Sequence, residues 1–154
     1  MNLITAPQKL GKFKRPAIFL AGSIEMGKAV KWQDYTVKKL ESFEGTLFNP
    51  RREHWGYSWR ESIKNKKFRE QVAWELEALE KSDYIILYFD PRSKSPISLL
   101  ELGLFARSHK IFCCCPPKFW RRGNVEFICA KFKIPLDSNL DRLIGRIKIT
   151  LRNL

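Results

Sequence analysis

Short unbroken apolar runs alternate with longer amphipathic stretches along this chain. Residues 17–21 (Ala-Ile-Phe-Leu-Ala) form the first run, ended by Gly22-Ser23, as expected of a strand buried on both faces. Residues 26–43 carry Val30, Tyr35, Val37 and Leu40 amid Lys and Glu and predict a helix. Thr46-Leu47-Phe48 predicts a second strand, stopped by Asn49-Pro50. Residues 51–60, basic and aromatic (His54, Trp55, Tyr57, Trp59), predict a long loop, and 62–81 a helix. Residues 84–89 give the clearest strand, ended by Asp90-Pro91. Ser95-Pro96 has the capping chemistry of a helix start, and that helix runs to about residue 108. Residues 111–115 predict a fourth strand closed by Pro116-Pro117, 124–132 a short helix, 133–136 a marginal fifth strand and 140–152 a final amphipathic helix. Residues 1–16 mix polar, basic and Pro positions and predict a basic, loosely ordered N-terminal arm before a single domain, 17–154.

Strands alternating with helices at this spacing imply an α/β fold, a doubly wound parallel sheet with helices on both faces. Five strands make the flavodoxin-like order 2-1-3-4-5 the natural expectation. Ligands in such folds bind beyond the carboxyl ends of the strands, at the switch between strands 1 and 3. That geometry nominates Gly22 and Ser23 after the first strand and the segment from Asp90 to Ser98 after the third.

Composition changes this picture in one respect. Of 154 residues, 29 are Lys or Arg and 16 Asp or Glu, a net charge of +13. The basic residues cluster at 9–15, 51–69 and 110–133, separated by an acidic interval from Glu70 to Asp90. This favours anionic partners: nucleotides, phosphorylated metabolites or nucleic acid. The 44% hydrophobic content suffices for a real core. No apolar run reaches the ~20 residues of a spanning helix, and residues 1–16 lack a signal peptide's apolar centre, so a cytoplasmic protein without membrane contact is expected. Cys113, Cys114, Cys115 and Cys129 suit neither a disulfide framework nor a zinc site, and read as reduced, buried thiols. No metal or other cofactor is expected.

Two carboxylates stand where carboxylates are costly. At 100° per residue, Phe68, Val72, Leu76 and Leu79 share a stripe about 80° wide, and Glu75 lies beside it, with Glu70 and Glu77 opposite. A Glu on the core side is either paired or held at a raised pKa. In residues 96–106 apolar side chains surround the helix on nearly every side, which predicts a largely buried helix. Glu101 is its only charge before Arg107, near the amino-terminal end where the dipole favours an anion, and Gly103 permits close packing beside it. Two carboxylates converging on a crevice are the minimum equipment for cleaving a glycosidic bond through an oxocarbenium-like transition state.

Gly22-Ser23-Ile24, Asn49-Pro50-Arg51-Arg52, Trp74-Glu75 followed by Ser82-Asp83, Glu101-Leu102-Gly103, and residues 121–126 (Arg-Arg-Gly-Asn-Val-Glu) together resemble the nucleoside 2-deoxyribosyltransferase-like family over about residues 17–132. The resemblance implies cleavage of the N-glycosidic bond of a (deoxy)nucleoside or its 5′-monophosphate. It assigns the nucleophile to Glu101, forming a covalent deoxyribosyl-enzyme resolved by a second base or by water. It assigns help with base protonation to Glu75, eight residues before Asp83, sugar or phosphate contact to Gly22 and Ser23, and sugar hydroxyls to Asn124. It also implies a homo-oligomer whose sites are completed across subunits. The transferase members carry an Asp six residues before the nucleophile, where this chain has Ser95, and a carboxyl-terminal aromatic, where it ends Arg152-Asn153-Leu154. Serines in that loop are instead like the nucleotide N-hydrolase branch, with Ser98 and Ser23 as phosphate contacts and Arg51 or Arg52 as charge partners. Asn49 and Asp90 complete the candidate substrate-binding set.

Three readings follow. The favoured one is an N-glycosidic-bond-cleaving enzyme acting on a nucleoside or nucleotide. Next comes a non-catalytic flavodoxin-like module that binds a nucleotide or nucleic acid, for which His54, Trp55, Tyr57 and Trp59 would be a stacking platform and otherwise a loop capping the pocket. A related glutamate enzyme cleaving nicotinamide dinucleotides is the third. Two acids on core-facing positions favour the first, because a binder of anions gains nothing from acids in its pocket.

Overall fold

A computed structural model describes residues 1–24, 31–52 and 60–153. The expected helix start at Met26 and the aromatic loop residues His54, Trp55, Tyr57 and Trp59 lie outside these residues. The described elements are β1 (Asn2–Thr5), β2 (Ala17–Gly22), α1 (Trp32–Lys39), β3 (Thr46–Asn49), α2 (Lys66–Lys81), β4 (Tyr84–Tyr88), α3 (Pro96–Phe105), β5 (Ile111–Cys114), α4 (Arg122–Phe132), β6 (Leu136–Asp137) and α5 (Leu140–Arg152).

One parallel sheet of six strands has the order β1-β3-β2-β4-β5-β6. The five expected strands take the expected flavodoxin-like order, and the sixth comes from residues read as a loose arm. Asn2–Thr5 pairs in register with Thr46–Asn49 and buries Ile4 while leaving Leu3 exposed. Four residues alternating in this way carry too few apolar positions to read as a strand without the edge they dock on. At the other edge, β6 starts later than expected. Lys133 adopts a left-handed φ of 55° after α4, and the Pro135 carbonyl accepts from the Cys113 N–H at 2.9 Å, so pairing begins at Leu136.

The continuous apolar strands bury both their faces, giving two cores. Phe19, Ala21, Ile85, Leu87 and Cys113 pack with Trp74, Leu79, Leu102, Val125 and Cys129 from α2, α3 and α4. Ile18, Leu20, Ile86 and Cys114 pack with Trp32, Leu40, Leu143 and Ile147 from α1 and α5 on the other side. Phe19 and Leu20 are fully buried; truncating either to Ala would cost about 3–5 kcal/mol. All four Cys are buried free thiols, and burial pushes Cys114 and Cys115 up to about 12, far from the range of a reactive thiolate.

Caps set the helix limits. Asn65 accepts from the Lys67 and Phe68 amides at 3.1 and 3.3 Å, so α2 starts four residues later than its pattern suggests. Asn139 caps α5 through the Arg142 amide at 2.9 Å. Among the described residues no helix is long and apolar enough to cross a membrane.

Candidate active site

Parallel pairing brings the carboxyl ends of β2, β3 and β4 together at one end of the sheet's strands, where the chain leaves at Gly22-Ser23, Asn49-Arg52 and Asp90-Ser98. Gly22 sits there at φ 145°, and a Cβ would lie 2.3 Å from the Tyr88 carbonyl oxygen and 2.9 Å from the Trp32 ring. Only glycine lets the strand turn this close to its neighbour. The Trp32 indole N–H donates to the Ser23 carbonyl at 3.0 Å and secures the turn.

Ser23 is the hub of a hydroxyl cluster. Its Oγ accepts from the Asp90 amide at 2.9 Å and bonds the Ser95 hydroxyl, which in turn bonds Ser93 at 2.7 Å. The capping expected of Ser95 is not made: it holds a left-handed conformation, φ 48°, and its side chain turns to Ser23 and Ser93 instead of the α3 amides. A non-glycine residue in this region is strained and persists only where surroundings enforce it. Ser98 is buried in the first turn of α3. The Asp90 carboxylate is buried and accepts from the Arg92 amide and guanidinium at 2.9–3.1 Å, so it fastens the turn after β4.

Beyond β3, Asn49 Oδ1 accepts from the Arg51 amide at 3.0 Å, and the buried Arg51 guanidinium donates to Gln33 Oε1 at 3.3 Å. Arg52 feels the acids of α2: the charges of Glu75 and Glu70 act on its guanidinium, whose pKa burial nonetheless lowers.

The charge of Glu75 reaches Glu101. Burial raises the Glu75 pKa against two opposing influences, a hydrogen bond from Gln71 and the charge of Arg52. Glu101, partly buried on α3, is pushed up to about 8, first by desolvation and then by the negative charge of Glu75. Each glutamate therefore sits in a poorly solvated place, and one feels the other. Titratable pairs whose environments separate their proton affinities are the raw material of acid and nucleophile assignments.

Two helical expectations need correction. The buried face of α2 is Gln71, Trp74, Ala78 and Leu79, turned away from the aliphatic stripe, and Leu76 is exposed. Trp74 decides this rotation by packing into the core while its indole donates to the Gln8 carbonyl at 2.6 Å. Glu75 thus lies within the buried arc, between Gln71 and Leu79, and is not at its rim. Helix α3 is not largely buried. Ser98, Leu102 and Ala106 face the sheet, but Ile97, Leu100 and Leu104 are each 59% exposed, and a Cβ on Gly103 would meet nothing within 4 Å. Nothing among the described residues covers that side, so the close packing expected at Gly103 is not made among them.

Asn124 lies exposed in the first turn of α4, and no contact ties it to the crevice. Sequence reasoning passed over Gln71, whose amide joins the Pro50 carbonyl (3.0 Å) to the Glu75 carboxylate (2.6 Å); its spacing of four residues from Glu75 on one helix was the available signal. Ser93 lay within the nominated segment from Asp90 to Ser98 without being singled out, and Gln33 carried no such signal. Among the described residues no group of three or more His, Cys, Asp or Glu converges as metal ligands would. A cavity of about 240 Å³ lined by Leu40, Phe43, Lys148 and Leu151 opens at the opposite end of the strands, away from both carboxylates.

No curated protein matches the chain. A family model described as nucleoside 2-deoxyribosyltransferase like matches residues 15–119, a span that holds Gly22, Ser23, Asn49, Arg51, Arg52, Glu75, Asp90, Ser98 and Glu101 and leaves Asn124 outside. With the doubly wound sheet and the match over most of its length in agreement, this chain belongs to the nucleoside 2-deoxyribosyltransferase-like family.

Proposed function

We propose that the protein cleaves the N-glycosidic bond of a (deoxy)nucleoside or nucleoside 5′-monophosphate, with Glu101 as nucleophile and Glu75 managing the proton of the departing base. The observation that carries this reading is the pair itself: two glutamates in one desolvated crevice, the Glu101 pKa raised further by the charge of Glu75. In the free protein burial and the charge of Glu75 favour the protonated form of Glu101, while Arg52 and Gln71 favour the ionised form of Glu75. Reaction proceeds from the minor arrangement, in which Glu101 is ionised and Glu75 holds the proton. Glu101 then attacks the anomeric carbon as the bond to the base breaks, and the proton on Glu75 goes to the leaving base nitrogen. A second base, or water, displaces the sugar from Glu101 in the reverse sense, with Glu75 accepting the incoming nucleophile's proton.

A 5′-phosphate would be held by Ser23 and Ser98, with Arg51 or Arg52 as charge partner. We infer that the 5′-monophosphate is preferred to the nucleoside. The uncovered face of α3, apolar at Ile97, Leu100 and Leu104 and free of side-chain bulk at Gly103, supports assembly with a second copy. In such an assembly Asn124 would serve a neighbouring subunit's site.

The test is a chromatographic screen of deoxynucleosides, ribonucleosides and their 5′-monophosphates for free base, with and without a second base as acceptor. Base release without acceptor identifies a hydrolase, and a new nucleoside with acceptor identifies a transferase. Absence of base release from every compound, with salt-sensitive binding of single-stranded nucleic acid, would replace the enzyme with a binding module.

A further inference from the structure

Gln71 is fully enclosed on the core side of α2, yet it spends its amide in an unusual way. Both of the hydrogen bonds it makes are donated from Nε2, to the Pro50 carbonyl at 3.0 Å and to Glu75 Oε1 at 2.6 Å. Its own Oε1 is buried with no hydrogen-bond partner. A peptide carbonyl can only accept, so the Pro50 bond fixes which end of the amide is nitrogen, and the nitrogen must then face Glu75. Buried amides normally satisfy both ends. This one forgoes a partner for its oxygen in order to donate twice.

We propose that Gln71 is the positioning residue of the Glu75 carboxylate: anchored on the Pro50 turn, it holds one carboxylate oxygen and leaves the other for the crevice. The proposal rests on the glycosidic-bond reading for its catalytic consequence, and on geometry alone for its effect on Glu75. Among the described residues the charged groups linked to Glu75 are Arg52, from the turn after β3, and Glu101, from α3; Glu70 acts on Arg52. Arg52 and Gln71 oppose the desolvation that would otherwise protonate Glu75 further. Removing the donor leaves Arg52 alone on that side of the balance, so Glu75 takes up its proton at higher pH, loses its fixed orientation and becomes a weaker acid toward the leaving base.

The experiment uses two variants of nearly unchanged volume, Gln71→Met and Gln71→Glu, in the full chain. Glutamate carboxyl carbons are titrated by NMR, with the Glu75 signal assigned by its loss in Glu75→Gln. The expected result is an upward move of the Glu75 titration in both variants. In the active enzyme kcat falls about tenfold with KM changed less than twofold, and the acid limb of the pH profile moves upward. In the Glu75→Gln background, Gln71→Met brings no further loss of kcat. A merely structural anchor on Pro50 predicts lowered thermal stability with the Glu75 titration in place, and that outcome overturns the proposal. The titration needs no turnover, so wild-type protein that releases no base defeats the glycosidic reading while the role of Gln71 is still decided by the carboxyl signal.

Discussion

Helices α2 and α3 pack on the same face of the sheet and carry one poorly solvated glutamate each, but they surround it differently. Glu75 on α2 is furnished with a donor, Gln71, and a nearby cation, Arg52. Glu101 on α3 has burial and the charge of Glu75 acting on it, both in the same direction, and is pushed up to about 8. The outer faces differ as sharply. That of α2 carries solvated ion pairs, Lys66–Glu70 and Lys81–Glu77, whereas that of α3 presents Ile97, Leu100 and Leu104 to water. The same residue type thus acquires different electrostatic surroundings on two helices of one layer, and the outer faces of those helices differ in polarity, charged on α2 and apolar on α3.

The strongest way to break the contrast is to remove one glutamate at a time. Glu101→Ala should lower kcat/KM for base release by a thousandfold or more, as loss of a nucleophile does, on the order of the largest single-residue effects. Glu75→Gln should cost about a hundredfold, within the usual contribution of a general acid, and less for nucleosides whose base leaves readily. Steady-state base release by chromatography measures both. Equal losses from the two substitutions would erase the distinction between them.

The pH profile sharpens the same point. The productive form carries one proton on the pair, so wild-type kcat/KM should be bell-shaped, with an alkaline limb near the Glu101 value of about 8. In Glu75→Gln only the ionisation of Glu101 remains, and activity should rise with pH to a plateau with no alkaline limb. A bell preserved in that variant would assign the limb to another group.

A smaller effect tests the outward face of α3. Leu100→Lys should shift the assembled protein to smaller species in sedimentation or light scattering at micromolar concentration, while the same change at exposed Leu76 of α2 should not. A monomeric wild type would overturn assembly through the α3 face.

The smallest expected effect is on stability. Glu101 has an ordinary value of 4.5 when unfolded and about 8 when folded, so the folded state binds the extra proton between these values. Stability therefore declines as pH rises through this window, because ionisation strands a charge in a desolvated place. Glu101→Gln should match the wild type near pH 4 and exceed it by a few degrees in Tm above pH 8. A gap that narrows as pH rises would reverse the sign of the burial argument.

What the sequence revealed and what it hid follow from the range of the forces involved. Strands β2 to β5 and the place of Glu101 are written in local pattern: unbroken apolar runs, Pro and Gly stops, one charge in an apolar helix. The edge strand Asn2–Thr5 is decided by a partner, Thr46–Asn49, more than 40 residues away, and four residues cannot announce that. The rotation of α2 was hidden because a stripe drawn through aliphatic residues ignores Trp74, Ala78 and Gln71, which the core takes instead. The exposure of α3 could not be read from a helix apolar all round, since periodicity says how much surface wants cover but not what supplies it. Ser95 resembles a cap in one dimension; in three, the nearby Ser23 hydroxyl claims its side chain.

The most direct measurement is base release by wild type and Glu101→Gln side by side, on every nucleoside and 5′-monophosphate the wild type accepts, with folding of the variant verified by thermal melting. Glu101 as nucleophile predicts free base from at least one substrate with the wild type and none above background with Glu101→Gln. Turnover retained by the variant at the wild-type rate would contradict it.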